Sequence, residues 1–223
     1  MKKTLGSLFI SGLLVTAPVF ADKDNHQHWS TFHITITNTT AHQVIAPPAV
    51  IAHNGNFKFF TLGDATQPAS DALATLAETG NSMPLIDMSN ADSNVYATES
   101  AGAIPPGTSV EVTIMAPRTA MFSVAGMLAT TNDGFMAATN IRAPKRHHDV
   151  QAHGMAYDAG SEMNNESCDY IPGPPCDNGE NMETDTGEGF VTYHNGIHGQ
   201  GDLNAAHLDW RGPAALISVR NDG

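Results

Sequence analysis

The chain has 223 residues, with 23 Asp and Glu against 10 Lys and Arg and a formal net charge of −13 at pH 7. That balance excludes a basic nucleic-acid groove, and it excludes attraction to anionic lipid unless a cation bridges the two. The length suffices for one sizeable core, and no composition shift or repeat of fixed period divides it.

Residues 1–21 read as a secretory signal peptide: Lys2 and Lys3 form a basic start, residues 8–15 an apolar centre, and Val19-Phe20-Ala21 a small-residue cleavage site. The apolar centre is too short to span a bilayer, and no later stretch is long enough, so an exported product without a transmembrane segment is expected, periplasmic or secreted. Loss of both lysines takes the charge from −13 to −15 (−13 − 2). Residues 22–31 form a His-bearing leader with His26 and His28, and residues 32–220 a single domain.

Phe32, Ile34 and Ile36 alternate with Thr and His, the pattern of a half-buried strand. Asn38-Thr39-Thr40 makes a turn, Pro47-Pro48 precedes a short apolar run over residues 49–52, and Asn54-Gly55 makes a second turn. Phe57-Lys58-Phe59-Phe60 is predicted to be a strand. Residues 70–78 carry the one convincing helix, capped by Ser70, apolar at Leu73, Leu76 and Ala77, and stopped by Gly80. Further strands are predicted at residues 95–98, 109–114, 122–128, 150–155, 190–193 and 215–220, with Pro105-Pro106-Gly107 and Asn132-Asp133-Gly134 as turns. Many short strands and a single helix point to an antiparallel sandwich.

Between His147 and Trp210 the chain has no Lys or Arg, yet it holds Asp149, Asp158, Glu162, Glu166, Asp169, Asp177, Glu180, Glu183, Asp185, Glu188, Asp202 and Asp209. Folded closely, these carboxylates repel one another, and a hard cation offsets the repulsion; spread over solvent, they are an acidic surface that binds nothing. Gly160 lets the chain turn after Asp158 so that Glu162 swings back toward the same point. Gly196, Gly199 and Gly201 give the loop before Asp202 freedom to aim carbonyls inward. Carboxylates mixed with carbonyls suit calcium, although the spacing is not that of an EF-hand. Cys168 and Cys176 bracket a proline-rich loop, and in an exported chain such a pair is most simply a disulfide.

Two rival chemistries carry different residues. Eleven histidines, including His26-Gln27-His28 and the pair His194 and His198, raise a zinc- or copper-binding reading, though Asn195-Gly196 and Gly199 argue against the helix that would put the pair on one face. A hydrolase would need a nucleophile arrangement that leaves no motif: G-x-S-x-G, H-E-x-x-H and a phosphate-cradling glycine loop are all missing. The expectation is therefore a protein without catalysis.

Several short stretches, in order, resemble the N-terminal spondin domain in its stand-alone bacterial form. They are Ile34-Thr35-Ile36-Thr37-Asn38, Ala46-Pro47-Pro48 with Val50-Ile51-Ala52-His53, Phe60-Thr61-Leu62-Gly63, Leu76-Ala77-Glu78-Thr79-Gly80, and Ala125-Gly126-Met127-Leu128. Thr130-Thr131-Asn132-Asp133-Gly134-Phe135, Tyr157-Asp158-Ala159-Gly160-Ser161-Glu162 and the loop 197–202 follow. The resemblance implies an eight-stranded antiparallel, jelly-roll-like sandwich with one short helix, similar to calcium-binding membrane modules, with a calcium ion at one end. It implies a part in adhesion, as in F-spondin and mindin, through an extracellular or surface partner, protein or glycan. Asp158 matches the first acid of the family's Asp-Ala-Gly-Thr-Asp motif and Glu162 replaces the second. Asp202 and the carbonyl near His198 fall in its second calcium loop, with Asp209 in reserve. The chain lacks the reeler and thrombospondin-type modules and most cysteines of the animal proteins.

Overall fold

The computed structural model describes residues 28–176 and 187–223. Residues 1–21, expected to be a signal peptide, most of the leader, and Asp177, Glu180, Glu183 and Asp185 lie outside the described residues.

Nine antiparallel strands are formed among the described residues: β1 (Trp29–Asn38), β2 (Ala49–His53), β3 (Val95–Ser100), β4 (Ser109–Pro117), β5 (Met121–Met127), β6 (Gly134–Arg142), β7 (Asp149–Asp158), β8 (Thr192–Tyr193) and β9 (Ala215–Asn221). Eight follow one another in the order β3-β2-β5-β6-β7-β9-β1-β4, and the two-residue β8 adds to β7. The fold is all-β and sandwich-like, as the sequence pattern predicts. β7 makes the corner between layers: residues 149–154 pair with β9, while residues 155–158 pair with β6.

Alternation builds the central core. Phe32, Ile34 and Ile36 of β1 are fully buried, and they meet Val112 and Ile114 of β4, Phe122 and Val124 of β5, and Ile217 and Val219 of β9. Phe32 and Phe122 meet edge to face at 4.9 Å, a geometry that adds about 0.5–1.5 kcal/mol to burial.

The other face of β2, β5 and β6 is covered too. Helix α1 (Asp71–Thr79) lays Leu73, Leu76 and Ala77 against Ala49, Ile51, Ala125 and Phe135. Ser70 Oγ accepts from the Leu73 N–H at 3.3 Å, and Gly80 ends the helix at φ 71°. With both faces covered, β2 is buried at every residue, which is why it reads as an apolar run instead of an alternation.

Three expectations are corrected. Residues 57–60 are not a strand: Phe57 and Phe59 are pinned into the second core from an irregular loop. The helix at 70–78 has a companion, α2 (Met83–Asn90), with Pro84 in its first turn and Leu85 and Ile86 buried. Finally β6, unforeseen, supplies the ladder against which β7 is aligned.

Cys168 and Cys176 are disulfide-bonded, as expected. The bond closes a loop over a small third cluster of Ile171, Ile197, Leu203 and Leu208, the last from the one-turn helix α3 (Ala205–Leu208). No helix among the described residues is long and apolar enough to cross a membrane.

Candidate metal centre

The β6–β7 register sets the site. Gly134 pairs with Asp158, so Asp133, one residue earlier in the turn before β6, lies at the same end of the sandwich as the end of β7. The Thr131 hydroxyl fixes that turn: its oxygen accepts from the Gly134 N–H at 2.9 Å, and it donates to the Leu128 carbonyl at 2.7 Å. Asp133 Oδ2 accepts from the backbone N–H groups of Ser161 (2.8 Å) and Glu162 (2.9 Å) and from the Ser161 hydroxyl (3.2 Å). It thereby ties the 159–162 turn to the 128–134 turn. Asp133 Oδ1, buried beside it, meets no donor among the described residues.

Asp158 is buried at 4% exposure; Oδ1 accepts from the Gly160 N–H at 2.7 Å and Oδ2 from the Asn164 amide. Burial, and then the negative charge of Asp158, push Asp133 up to about 7. Burial raises Asp158 as well, against the lowering pull of its donors Asn164 and Gly160. Both carboxylates resist ionisation, and one has an oxygen lacking a donor among the described residues. Glu162 follows on the same turn and is fully buried.

The second glycine loop aims backbone N–H groups at Glu166. The Glu166 carboxylate accepts from the backbone N–H groups of His198 (2.5 Å), Gly199 (2.7 Å) and Gln200 (3.0 Å). Its backbone is tied on both sides: its N–H donates to Asn132 Oδ1 at 3.2 Å, and its carbonyl accepts from the Asp202 N–H at 2.8 Å.

The five residues expected to ligate calcium are thus divided. Asp158 lies beside Asp133, and Glu162 gives Asp133 its backbone N–H. His198 is exposed and gives its N–H to Glu166. Asp202 is exposed and accepts from the Cys168 N–H at 2.9 Å. Asp209 accepts from the Ile197 N–H at 3.1 Å and pairs with Arg211 at 3.3 Å. Among the described residues, no three His, Cys, Asp or Glu side chains gather as a ready-made metal cage. Asp133 and Asp158 nonetheless fit a hard cation in donor chemistry, because calcium accepts carboxylate oxygen together with carbonyl oxygen. Asp133 is not among the five expected residues, because only its register with Asp158 distinguishes it from any other turn aspartate.

Beside this end lies a cavity of about 250 Å³, walled by Asp158, Glu188 and His194 and edged by exposed Asn195, His198 and Gln200. His194 Nδ1 accepts from the Gly196 N–H at 3.0 Å, so the ring proton sits on Nε2. Nε2 is shut off from solvent and meets no acceptor among the described residues. Burial, reinforced by His198, pushes His194 down to about 4 and keeps the ring neutral.

The rival chemistries find other arrangements. His147 and His148 are exposed on a turn, and His194 and His198 lie in coil with Gly196 and Gly199 at positive φ. Ser123 and His53 meet at 2.9 Å through Nε2. However, His53 Nδ1 accepts from the Gly55 N–H, so Nε2 carries the proton and donates to the serine. That tautomer cannot take the serine's proton, as nucleophile activation requires. Compared with known proteins, the chain matches no protein-family model and no curated protein.

Proposed function

We propose that the chain is an exported, spondin-like module that binds calcium and serves adhesion or surface interaction without catalysis. The observation that carries the reading is the buried pair Asp133 and Asp158, which lacks a counter-charge at an oxygen with no donor among the described residues. A divalent cation held there by Asp133, Asp158 and neighbouring carbonyls would supply the missing charge and clamp the 128–134 turn to the 158–162 turn. The disulfide fits an oxidising compartment outside the cytoplasm.

The test is a pair of melting curves, in millimolar calcium and in chelator. Extracellular calcium sites bind with dissociation constants of about 10⁻⁴–10⁻³ M, and ligand at one hundred times that constant adds about 2.7 kcal/mol. Calcium should raise Tm by several degrees, magnesium by much less, and Asp133→Asn and Asp158→Asn should each remove most of the rise. Superimposable curves for the unaltered protein would leave the acids as a solvated surface.

A further inference from the structure

Two histidines far apart in sequence meet on the surface. His42 lies in the loop after β1 and His207 in α3, and their rings approach to 3.9 Å between centroids at an interplanar angle of 36°. Both residues are exposed. Among the described residues neither ring has a hydrogen-bond partner, so the protein itself engages none of their nitrogens.

The backbone on each side holds the two in place. Asn38, fully buried, gives its amide to the Gln43 carbonyl at 2.7 Å, and its Oδ1 accepts from the Thr40 N–H at 3.0 Å. The Thr40 hydroxyl oxygen accepts from the Gln43 N–H at 3.1 Å, closing the loop around His42. Opposite, Asn204 caps α3 by accepting from the Ala206 N–H at 3.1 Å, and Leu208, next to His207, is buried in the third cluster. Gln43 joins the two sides: its Nε2 reaches the Leu208 carbonyl at 3.5 Å, and its Oε1 accepts from the Thr130 N–H at 3.2 Å. Each histidine thus has a buried neighbour in the chain, and those neighbours are tied to each other.

The donor type selects the ligand. Imidazole nitrogen suits zinc and copper(II), whereas calcium and magnesium take oxygen. Two nitrogens on one tetrahedral ion lie about 3.3 Å apart, given metal–nitrogen distances of about 2.0–2.1 Å. Rings already in contact reach that span by turning about their side-chain bonds, and exposed rings turn without repacking a core. Two imidazoles on fixed backbones also chelate: once the first bond has formed, the second costs no further translational freedom. Among the described residues no third His, Cys, Asp or Glu joins the pair, so water fills the other positions on the ion.

We propose that His42 and His207 chelate one zinc or copper(II) ion, which clips α3 to the loop after β1. The site is independent of the calcium reading, since it uses other residues, other donor atoms and another class of metal.

The test is titration of the untagged, ¹⁵N-labelled protein with zinc chloride and separately with copper(II) chloride, with binding constants from calorimetry. The first equivalent of zinc should shift the ring nitrogens of His42 and His207 together, before those of the exposed His147 and His148. Copper(II) should bind more tightly than zinc, and calcium and magnesium should leave both rings unshifted. His42→Ala and His207→Ala should each weaken zinc binding at least about tenfold at unchanged Tm, and the double variant should lose little more than either alone, as a broken chelate does. Zinc shifts that begin at other histidines overturn the proposal, as does an unchanged constant in either single variant. Losses that simply add in the double variant would mean two independent imidazoles and no chelate. Asp133→Asn should leave zinc binding intact; a protein that binds zinc in this way but shows no calcium-induced rise in Tm sinks the calcium reading alone.

Discussion

Glu166 holds a left-handed backbone conformation, φ 54°, that a non-glycine residue adopts only at a cost of about 1–3 kcal/mol. Three backbone N–H groups on its carboxylate offset that cost, since hydrogen bonds to a charged group contribute about 1.5–3 kcal/mol each at best. Glu166→Ala leaves those donors facing a void and should destabilise the protein by about 3 kcal/mol in urea unfolding. Glu166→Gln keeps an acceptor but loses the charge and sets an amide N–H against a donor, so it should cost nearly as much; Asp, one methylene short, should not rescue it. A Glu166→Gln variant as stable as the parent would remove Glu166 from its central role in the loop. The acidic run announced a charged site, but not this division of labour within it: a sequence shows carboxylates, not whether a carboxylate faces a cation or a nest of N–H groups. The turn after Asp158 could be read from Gly160, while Asp202 and Asp209 hold backbone donors of neighbouring loops.

The loops themselves differ in what anchors them. The 197–202 loop is fastened by Glu166, by Asp209 through Ile197, and by Ile197 and Leu203 packed in the third cluster. None of these needs a cation. The 158–162 turn is fastened by Asp133, whose own charge is under strain. Hydrogen exchange should therefore divide the two: in chelator the amides of Ser161 and Glu162 should exchange faster than in calcium, while those of His198, Gly199 and Gln200 change little. Equal loosening of both loops would mean that a cation, not Glu166, organises the second. Strands with one buried face, such as β1 and β4, were legible from alternation; β6, with both of its faces largely covered and two alanines among its residues, gave no period to read. Phe57-Lys58-Phe59-Phe60 erred the other way, because aromatic content signals burial and not strand geometry.

At the scale of the whole molecule, four buried groups set the response to pH, and they pull in opposite directions. Asp133 and Asp158 are raised, so the folded protein keeps protons that the unfolded chain releases above about 4. Their contribution is fully present below that value and is lost as pH rises, for Asp133 through about 7. His53 and His194 are depressed to about 4 by burial, so the unfolded chain takes up protons below about 6.5 that the folded protein refuses. Their contribution is present above about 6.5 and is lost as pH falls toward 4. In chelator the two trends oppose each other between about 4 and 6.5, and the metal-free protein should show a shallow stability profile there. Asp133→Asn removes one of the falling contributions, so its stability relative to the parent should improve steadily from pH 4 to 7. Calcium reverses the sign at the acidic pair, because the ion binds the deprotonated carboxylates and must displace their protons. The calcium-induced rise in Tm should accordingly be small at pH 5 and grow through pH 7 in the parent protein, and stay small throughout in Asp133→Asn. A calcium effect of equal size at pH 5 and pH 8 would mean that the ion sits elsewhere than on Asp133 and Asp158.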